Sequence, residues 1–257
     1  MSMTLKEIES ALKQLRLSGI RATLETRVLE SQASNLPFLE VFSAVLQDEL
    51  DRRRSKLIDR RCHLSGLSER MSLEEFDWGY NPKIPKRACF EINSLKFIAE
   101  GANVVLIGPP GTGKSHIAKA IAYSAVRAGH SVVYSEADDL LATLVMPGPG
   151  PVRRKVLKPV QDADLLVLDD LFLARKMAHE VADELQAILH KRYKANLSTI
   201  ITSNRPIGDW GKYLGDTALT STLLDRLMHR SRLLEFAGRS YRLKEASLRL
   251  AQDTKSS

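Results

Sequence analysis

Hydrophobic residues recur at helical spacing from the beginning of the chain. Thr4 and Glu7 form a capping-box sequence, and apolar positions then repeat until Ser18-Gly19, where a first helix is expected to end. Residues 21–33 predict a second amphipathic helix, and the apolar positions from Phe38 to Leu50 predict a third. These patterns predict a small all-helical module.

The pattern changes in the larger second part of the chain, where short apolar runs alternate with helical patterns. The predicted strands are Val104–Ile107, Ser131–Tyr134, Leu165–Leu168, Ser198–Thr202 and Leu233–Phe236. Helices are expected at residues 113–128, 178–195 and 223–228. In the second of these, four side chains are expected to face the core: Val181, Leu185, Ile188 and Leu189. Alternation of strand and helix is typical of a parallel sheet with flanking helices, so we predict an α/β domain.

The residues between these two parts lack a sustained period. Residues 65–86 contain Pro82 and Pro85, and we interpret them as a linker. The predicted organisation is therefore a helical module at residues 1–64, a linker at residues 65–86 and an α/β domain at residues 87–257.

A phosphate-binding motif follows the first predicted strand. It fits the pattern G-x-x-x-x-G-K-[ST] with Gly108, Pro109, Pro110, Gly111, Thr112, Gly113, Lys114 and Ser115. Such a loop turns backbone N–H groups toward phosphates, and Lys114 is expected to reach the β- and γ-phosphates while Ser115 holds Mg²⁺. His116 completes the expected nucleotide-binding segment. Because a strand precedes this P-loop and a helix follows it, we predict a P-loop domain that binds ATP with Mg²⁺.

Acidic residues end the third predicted strand. Asp169 and Asp170 lie at its carboxyl end, where open α/β sheets place their ligands. Asp169 is expected to hold Mg²⁺, directly or through water, and Asp170 to polarise the water that attacks the triphosphate. The alternative for this pair is an ordinary turn that caps the strand.

Two further polar residues are candidates for the same chemistry. Asn204 follows the fourth predicted strand and could contact the γ-phosphate or orient the water, although an Asx turn before Pro206 is the alternative. Arg226 lies far along the chain from the P-loop. It suits an arginine finger that acts on a neighbouring subunit's nucleotide, or a surface ion pair with Asp225.

The formal net charge of +7 is more than ATP binding requires and suggests a polyanionic partner. One basic cluster consists of Arg52, Arg53, Arg54, Lys56, Arg60 and Arg61. A second, beside a rigid turn expected at Met146–Pro151, contains Arg153, Arg154 and Lys155. Contact with duplex DNA phosphates is the sharper interpretation, and a solvated helix face is the alternative. The helical module is thus a candidate for binding DNA, a partner protein or both.

Other features narrow the class further. Cys62 and Cys89 are the only cysteines, and they lack the spacing of a disulfide scaffold or a zinc site. No run approaches the about 18 apolar residues of a membrane span, and the start of the chain lacks a continuous apolar stretch. We therefore expect no membrane association and a cytoplasmic location.

Several motifs taken together resemble one family. They are Gly108 to His116, Leu165 to Leu171, Ile200 to Pro206, Leu223 to Leu227 and Ser240 to Arg242. They resemble the IstB-like transposition helper ATPases of insertion sequences, AAA+ proteins close to the bacterial helicase loader DnaC, and the resemblance covers nearly the whole chain. It implies ATP hydrolysis, assembly of a homo-oligomer on DNA, and recruitment and stimulation of a partner transposase.

The resemblance also implies roles for single residues. Asp169 and Asp170 correspond to the Walker B pair, Asn204 to sensor 1, and Arg226 to an arginine finger that acts in trans. Arg242 is implied as a sensor-like arginine in contact with the nucleotide.

Two positions depart from the family's pattern. Asp170 stands where most AAA+ proteins have glutamate, so a shorter carboxylate must position the water. Phe172 stands where family members often have glycine, and the sequence offers no account of that change.

Too few residues follow Phe236 for the separate helical lid that most AAA+ proteins place over the nucleotide, so no C-terminal lid is expected. The adenine is then expected to be covered by the linker, where Phe76 to Trp78 and Tyr80 are candidates, or by an adjoining protomer. A site that is incomplete in one chain would couple nucleotide affinity to oligomerisation.

The function that fits these features best is an ATP-dependent transposition helper that assembles on duplex DNA, with hydrolysis regulating assembly. Two alternatives use the same core: a helicase loader of the DnaC type, and an ATP-gated DNA-binding switch with negligible turnover. A small-molecule P-loop kinase is disfavoured because the basic clusters would be unexplained.

Overall fold

A computed structural model describes residues 3–144, 151–172, 178–214 and 217–253 of the chain. It divides into two compact units, residues 1–61 and residues 62–257. The domain boundaries drawn from the sequence stay predictions. Residues 65–86, interpreted above as a linker, belong to the second unit and do not form a free-standing segment. Leu73 and Ile84 within them are buried.

Helices form the first unit. They are α1 (Leu5–Gln14), α2 (Ser18–Ser34) and α3 (Phe38–Ser65), the last of which extends past the unit boundary. The capping box predicted at the start of α1 is confirmed, because the Thr4 side chain accepts from the Glu7 N–H while the Glu7 carboxylate accepts from the Thr4 N–H at 2.7 Å.

The expectation that the first helix runs to Ser18-Gly19 is wrong, since α1 ends at Gln14 and Ser18 begins α2. Glu49 on α3 explains this start. Its buried carboxylate accepts from the backbone N–H groups of Gly19 at 2.6 Å and Ile20 at 3.4 Å. The first N–H groups of a helix have no partner within it, so a carboxylate from another helix both satisfies them and complements the positive helix end.

Asp48, the neighbour of Glu49, also ties α3 to α2. Its carboxylate accepts from Arg27 Nε at 2.9 Å, from Arg27 Nη2 at 2.8 Å and from Thr23 Oγ1 at 2.6 Å. These hydrogen bonds, with Arg27 as the largest contributor, lower the pKa of Asp48 to about 2. The ionised carboxylate therefore stabilises the pairing of the two helices.

Replacing Asp48 with asparagine is expected to lower the free energy of opening of α2, measured by amide hydrogen exchange, by about 1–2 kcal/mol at pH 6. The reason is that charge-assisted hydrogen bonds are lost. A depressed carboxyl pKa gives stability that is present above the unfolded value of 3.8 and lost as pH falls through about 2. The difference between wild type and variant should therefore shrink to about half at pH 3. Hydrogen-exchange mass spectrometry of α2 peptides in the full chain, corrected for intrinsic exchange rates, measures it.

The matched control for this experiment is Asp51→Asn, which removes an exposed carboxylate on α3 whose contact is Gln47 Nε2. It should leave α2 protection nearly unchanged. Equal effects of the two substitutions, or a difference that does not depend on pH, would show that Asp48 does not hold the helices together through its charge.

The second unit is built on a five-stranded parallel sheet, which confirms the predicted α/β fold with flanking helices. Its strands are β1 (Asn103–Ile107), β2 (Val132–Glu136), β3 (Leu165–Asp169), β4 (Ser198–Ser203) and β5 (Ser231–Glu235). Their order across the sheet is β2-β3-β4-β1-β5. β4 thus lies between β1 and β3. Because the strands are parallel, the carboxyl ends of these three strands lie side by side.

Helices flank this sheet. They are α4 (Lys86–Asn93), α5 (Lys96–Ala99), α6 (Lys114–Ala128), α7 (Ala137–Leu144), α8 (Pro151–Asp162), α9 (His179–Lys194), α10 (Trp210–Leu214), α11 (Thr217–Met228) and α12 (Tyr241–Asp253). The four aliphatic side chains predicted to face inward from the long helix, now α9, are buried, which confirms that prediction.

Two parts of this unit differ from the sequence-based expectation. The turn expected at 146–151 lies outside the described residues up to position 150, and residues 151–162 form α8. Proline fits the first turn of a helix because its missing N–H has no partner there. α12 was not predicted, and it is the one helix that follows β5 within the described residues. None of the described helices is long and apolar enough to cross a membrane.

Candidate functional site

The phosphate-binding motif forms the turn between β1 and α6. Its three glycines have positive φ angles: Gly108 (146°), Gly111 (75°) and Gly113 (100°). Residues with a side chain rarely adopt such angles, and a Cβ at these positions would collide with Phe236, Ser240 and Phe76, respectively. The loop is therefore enclosed by two other segments of the chain, residues 236–240 and Phe76, and has room for glycine alone at these points.

Lys114 begins α6 and is buried, with 4% of its surface exposed. Its Nζ donates to Gly108 O at 2.8 Å, to Pro109 O at 2.9 Å and to Asn204 Oδ1 at 2.6 Å. Burial lowers the pKa of Lys114 to about 8, against the opposing effect of nearby aspartates. A buried cation bonded to neutral oxygens favours an anionic ligand, so this part of the site fits a triphosphate.

The contact between Lys114 and Asn204 joins two residues that lie 90 positions apart. It follows from the strand order, because β4 pairs with β1 and Asn204 comes directly after β4. The structure thus brings two sequence-predicted residues together at the P-loop.

Asp169 ends β3 with a buried carboxylate whose two oxygens both accept hydrogen bonds. Thr202 Oγ1 donates to Oδ1 at 2.5 Å, and the Tyr134 hydroxyl donates to Oδ2 at 2.5 Å. Burial raises the pKa of Tyr134, and the charge of Asp169 adds to this effect, so the phenol keeps its proton. The carboxylate of Asp169 is held in one orientation between β2 and β4.

Asp170 lies at the edge of the cavity in a left-handed backbone conformation, with φ of 54°. Its N–H donates to Thr202 Oγ1 at 2.8 Å, which fixes the turn after β3. Burial raises the pKa of Asp170, and the neighbouring charge of Asp169 raises it further. A raised pKa makes this carboxylate a better proton acceptor than an exposed aspartate.

The oxygen donors at this edge fit Mg²⁺ bound together with phosphates. Asp169 and Ser115 offer the hard oxygen ligands that Mg²⁺ prefers. Within the described residues, no group of three or more His, Cys, Asp or Glu side chains could hold a metal by itself. Mg²⁺ commonly takes only one or two protein ligands and completes its coordination with water and substrate phosphates. When bound, Mg²⁺ would neutralise charge on the β- and γ-phosphates.

A cavity of about 430 Å³ opens beside the P-loop. Besides the loop itself and Asp170, its wall consists of residues that follow α3 and residues of α12. They are Met71, Glu75, Phe76, Asp77, Tyr80, Asn81, Tyr241, Arg242 and Glu245. Phe76 and Tyr80, two of the side chains expected to cover the base, therefore line the cavity. Trp78 lies behind them, with its ring 4.6 Å from that of Phe76.

The segment of residues 66–85 is fixed against the start of α12. The buried side chain of Asn81 donates to Arg239 O at 2.8 Å and accepts from Arg239 N at 2.9 Å. The Tyr80 hydroxyl donates to Ser240 O at 3.1 Å. One chain therefore supplies both the P-loop and this part of the cavity wall.

Two predicted nucleotide-binding residues lie at the ends of this wall. Arg242 is exposed on α12 and lines the cavity, where its charge acts on the pKa of Lys114 and Asp170 in addition to the larger effect of burial. His116 Nε2 lies 3.0 Å from Ser72 O, and its ring packs edge-on against Phe76. His116 therefore joins α6 to the segment of residues 66–85.

Arg226 is not brought to this site. It lines a small cleft with Asn103 and Thr199, which lie at the amino ends of β1 and β4. The P-loop follows the carboxyl end of β1, so a five-residue strand of about 15 Å separates the two edges. Arg226 is therefore not among the residues that line the cavity beside the P-loop of its own chain.

The basic clusters are found on α3 and α8. On α3, Arg53 pairs with Glu49 at 2.7 Å, while Arg52 Nε and Lys56 Nζ donate to Ser18 Oγ at 3.1 and 3.2 Å. The other basic residues of that cluster on α3 are Arg54, Arg60 and Arg61. On α8, Arg154 and Lys155 are exposed, and the side chain of Arg153 lies outside the described part of the chain.

Sequence reasoning missed Tyr134 and Thr202 at this site, and of the α12 residues it named Arg242 but not Tyr241 or Glu245. Tyr134 and Thr202 read as ordinary strand positions, and the available signal was their place near the carboxyl ends of β2 and β4. Tyr241 and Glu245 lie after the last strand, in a segment that sequence reasoning treated mainly as too short for a lid.

A parallel sheet with a glycine loop, a buried lysine and an acidic strand end defines a P-loop protein. The sequence profile described as IstB-like ATP binding protein matches residues 10–249, and the chain belongs to this family.

Known proteins agree with this assignment. An insertion sequence IS21 protein of Pseudomonas aeruginosa, described as ATP-binding, is 34% identical over 93% of this chain and 89% of its own length. The crystal structure of DnaI covers 66% of this chain and 90% of its own at 22% identity and a TM-score of 0.56. That of the DnaC helicase loader covers 62% and 98% at 23% identity and a TM-score of 0.50. At these identities the two structures show a shared fold.

Proposed function

We propose that this protein is an ATP-dependent DNA-binding transposition helper, which hydrolyses ATP, assembles on duplex DNA and recruits a partner transposase. One observation carries the proposal: Lys114 and Asn204 meet beside Asp169 and Asp170 in a chain of the IstB-like family. Such a set binds a triphosphate and positions water for its hydrolysis.

The chain's own residues have distinct parts in this chemistry. The P-loop N–H groups and Lys114 bind the phosphates, and Ser115 and Asp169 hold Mg²⁺. Asp170 accepts a proton from the attacking water, and Asn204, held by Lys114, orients that water near the γ-phosphate. Arg242 on α12 adds positive charge at the cavity wall.

We propose that protomers assemble because the predicted arginine finger, Arg226, does not line the nucleotide site of its own chain. Arg226 lies at the opposite edge of its own sheet and serves as an arginine finger for the nucleotide of a neighbouring protomer. Binding of ATP thereby favours contact between protomers, and hydrolysis of ATP weakens this contact.

DNA is proposed as the support for this assembly. The net charge of +7 and the exposed basic residues of α3 and α8 favour contact with phosphates. Arg53 contributes less than its neighbours because Glu49 neutralises it. Contacts of this kind read charge and deformability more than base sequence, which suits the choice of transposition targets.

A helicase loader is the second candidate, and the likeness in fold to the DnaC helicase loader favours it. It uses the same nucleotide site but directs the first unit at a helicase. Addition of the purified transposase or of a replicative helicase to the DNA-bound protein separates the two: the transposition helper should stimulate strand transfer, whereas a loader should stimulate unwinding.

Arg226→Ala is expected to lower phosphate release on DNA by about a thousandfold while a single protomer keeps its ATP affinity, because an arginine finger acts mainly in the transition state. Wild-type protein should form large particles only with ATP, Mg²⁺ and duplex DNA together. Electron microscopy and steady-state phosphate release on the full chain measure these effects.

Arg230→Ala is the matched control, since Arg230 is exposed near the end of α11 and donates to Asn196 Oδ1. Mixing Arg226→Ala with Lys114→Ala protein should partly restore phosphate release, because each variant supplies what the other lacks. Wild-type protein that stays monomeric with both nucleotide and duplex would contradict the proposed function, and negligible phosphate release from intact assemblies would favour the ATP-gated switch.

A further inference from the structure

Tyr134 has a contact that the proposed chemistry leaves unexplained. Its hydroxyl donates to Asp169 Oδ2, while Thr202 Oγ1 donates to Oδ1 of the same carboxylate. Thr202 on β4 also accepts from the Asp170 N–H, so its contact with Asp169 is explained by its part in fixing the turn after β3. Tyr134 comes instead from β2 and adds a donor from the other side of β3.

The ring of Tyr134 is held by its surroundings. The strand pairs with β3, where Tyr134 lies opposite Val167. Lys119 Nζ lies 5.7 Å from the ring centre, and Lys119 itself pairs with Glu69 at 2.5 Å. Gly66 packs against the Tyr134 carbonyl so closely that a Cβ there would come within 2.6 Å of the oxygen. Strand pairing and these contacts restrain the backbone and the ring of Tyr134, whose hydroxyl donates to Asp169.

We propose that Tyr134 is a positioning residue that orients the Asp169 carboxylate for Mg²⁺. This inference rests on the proposed function, in which Asp169 holds the metal. A donor on a ligating carboxylate fixes its orientation, and loss of such a donor commonly weakens metal binding about 10- to 100-fold. The shape of the phenyl ring is not required for this role, whereas its hydroxyl is.

Tyr134→Phe keeps the ring and removes the hydroxyl. In the full chain, binding of a non-hydrolysable fluorescent ATP analogue is titrated with Mg²⁺, so no turnover is needed. The Mg²⁺ concentration at half-maximal binding should rise about tenfold in the variant. Affinity for the analogue in EDTA should not change, since the P-loop and Lys114 are untouched.

Tyr123→Phe is the matched control, because Tyr123 is a half-buried tyrosine on α6 whose ring contacts Arg127. Its Mg²⁺ midpoint should equal that of wild type. Melting temperatures of both variants are recorded, because a merely structural role for Tyr134 would lower the melting temperature and leave the midpoint unchanged.

An unchanged Mg²⁺ midpoint for Tyr134→Phe overturns the inference while leaving the proposed function intact. Wild-type protein that does not bind the analogue, or binds it without any dependence on Mg²⁺, overturns the proposed function and the inference with it. A raised midpoint together with unchanged affinity in EDTA supports the positioning role.

Discussion

Lys114→Met is expected to weaken ATP binding at least about a hundredfold and to abolish phosphate release, because two or more charge-assisted hydrogen bonds to phosphates are lost. Methionine keeps most of the buried volume, so the effect isolates the ammonium group. Isothermal titration with ATP and Mg²⁺ measures the affinity of the full chain.

The structure adds a reason to compare methionine with alanine at this position. Lys114 Nζ also bonds Gly108 O and Pro109 O, so its removal frees two loop carbonyls in both variants. Alanine additionally leaves a cavity where the side chain is buried, and a lower melting temperature than that of the methionine variant is expected.

Lys96→Met is the control for Lys114, since Lys96 is exposed on α5 and does not line the cavity. It should bind ATP as wild type does. If Lys114→Met retained wild-type affinity, the glycine loop would not be a triphosphate site and the proposed function would fall.

Phe172→Ala is expected to destabilise the second unit by about 3–5 kcal/mol, and Phe172→Gly by about 1 kcal/mol less. The ring of Phe172 is buried, with its centre 5.2 Å from that of Trp210 and 5.6 Å from that of Tyr213. Both substitutions lose these contacts. Glycine alone relieves the backbone, which has a φ of 65° at this position.

Urea unfolding followed by tryptophan fluorescence measures these variants, because both tryptophans of the chain, Trp78 and Trp210, lie in the second unit. Leu185 on α9 provides the control. It is fully buried in a regular helix, where alanine should be more stable than glycine by about 1 kcal/mol. If glycine were also the less stable residue at position 172, the left-handed backbone would not explain the family's preference for glycine there.

The comparison of alanine with glycine also addresses why phenylalanine stands at position 172, which the sequence alone did not explain. The left-handed φ at this point favours glycine over residues with a side chain. Burial against Trp210 and Tyr213 explains how phenylalanine is tolerated here, since the gain from burying an aromatic side chain exceeds the cost of the backbone conformation.

Local patterns in the sequence were sufficient for the strands, the long helix α9 and the P-loop. A strand of four or five apolar residues needs no partner to be recognised, and the loop motif is contiguous. Helix α12 and the start of α2 were missed because neighbours outside the segment hold them. Glu49 satisfies the first N–H groups of α2, and the turn before α12 packs on Gly111 and Asn81.

The sequence by itself determined the class of chemistry, since residue types at fixed spacing identify a phosphate loop and an acidic strand end. Only the tertiary structure decided which side chains share the site. The strand order places Asn204 beside Lys114 and leaves Arg226 at the far edge. It also brings Tyr134 and Thr202 to Asp169. Packing outside the sheet brings residues 71–81 to the start of α12. Such contacts join positions far apart in the chain, and no local pattern records them because they arise from how strands pair and segments pack.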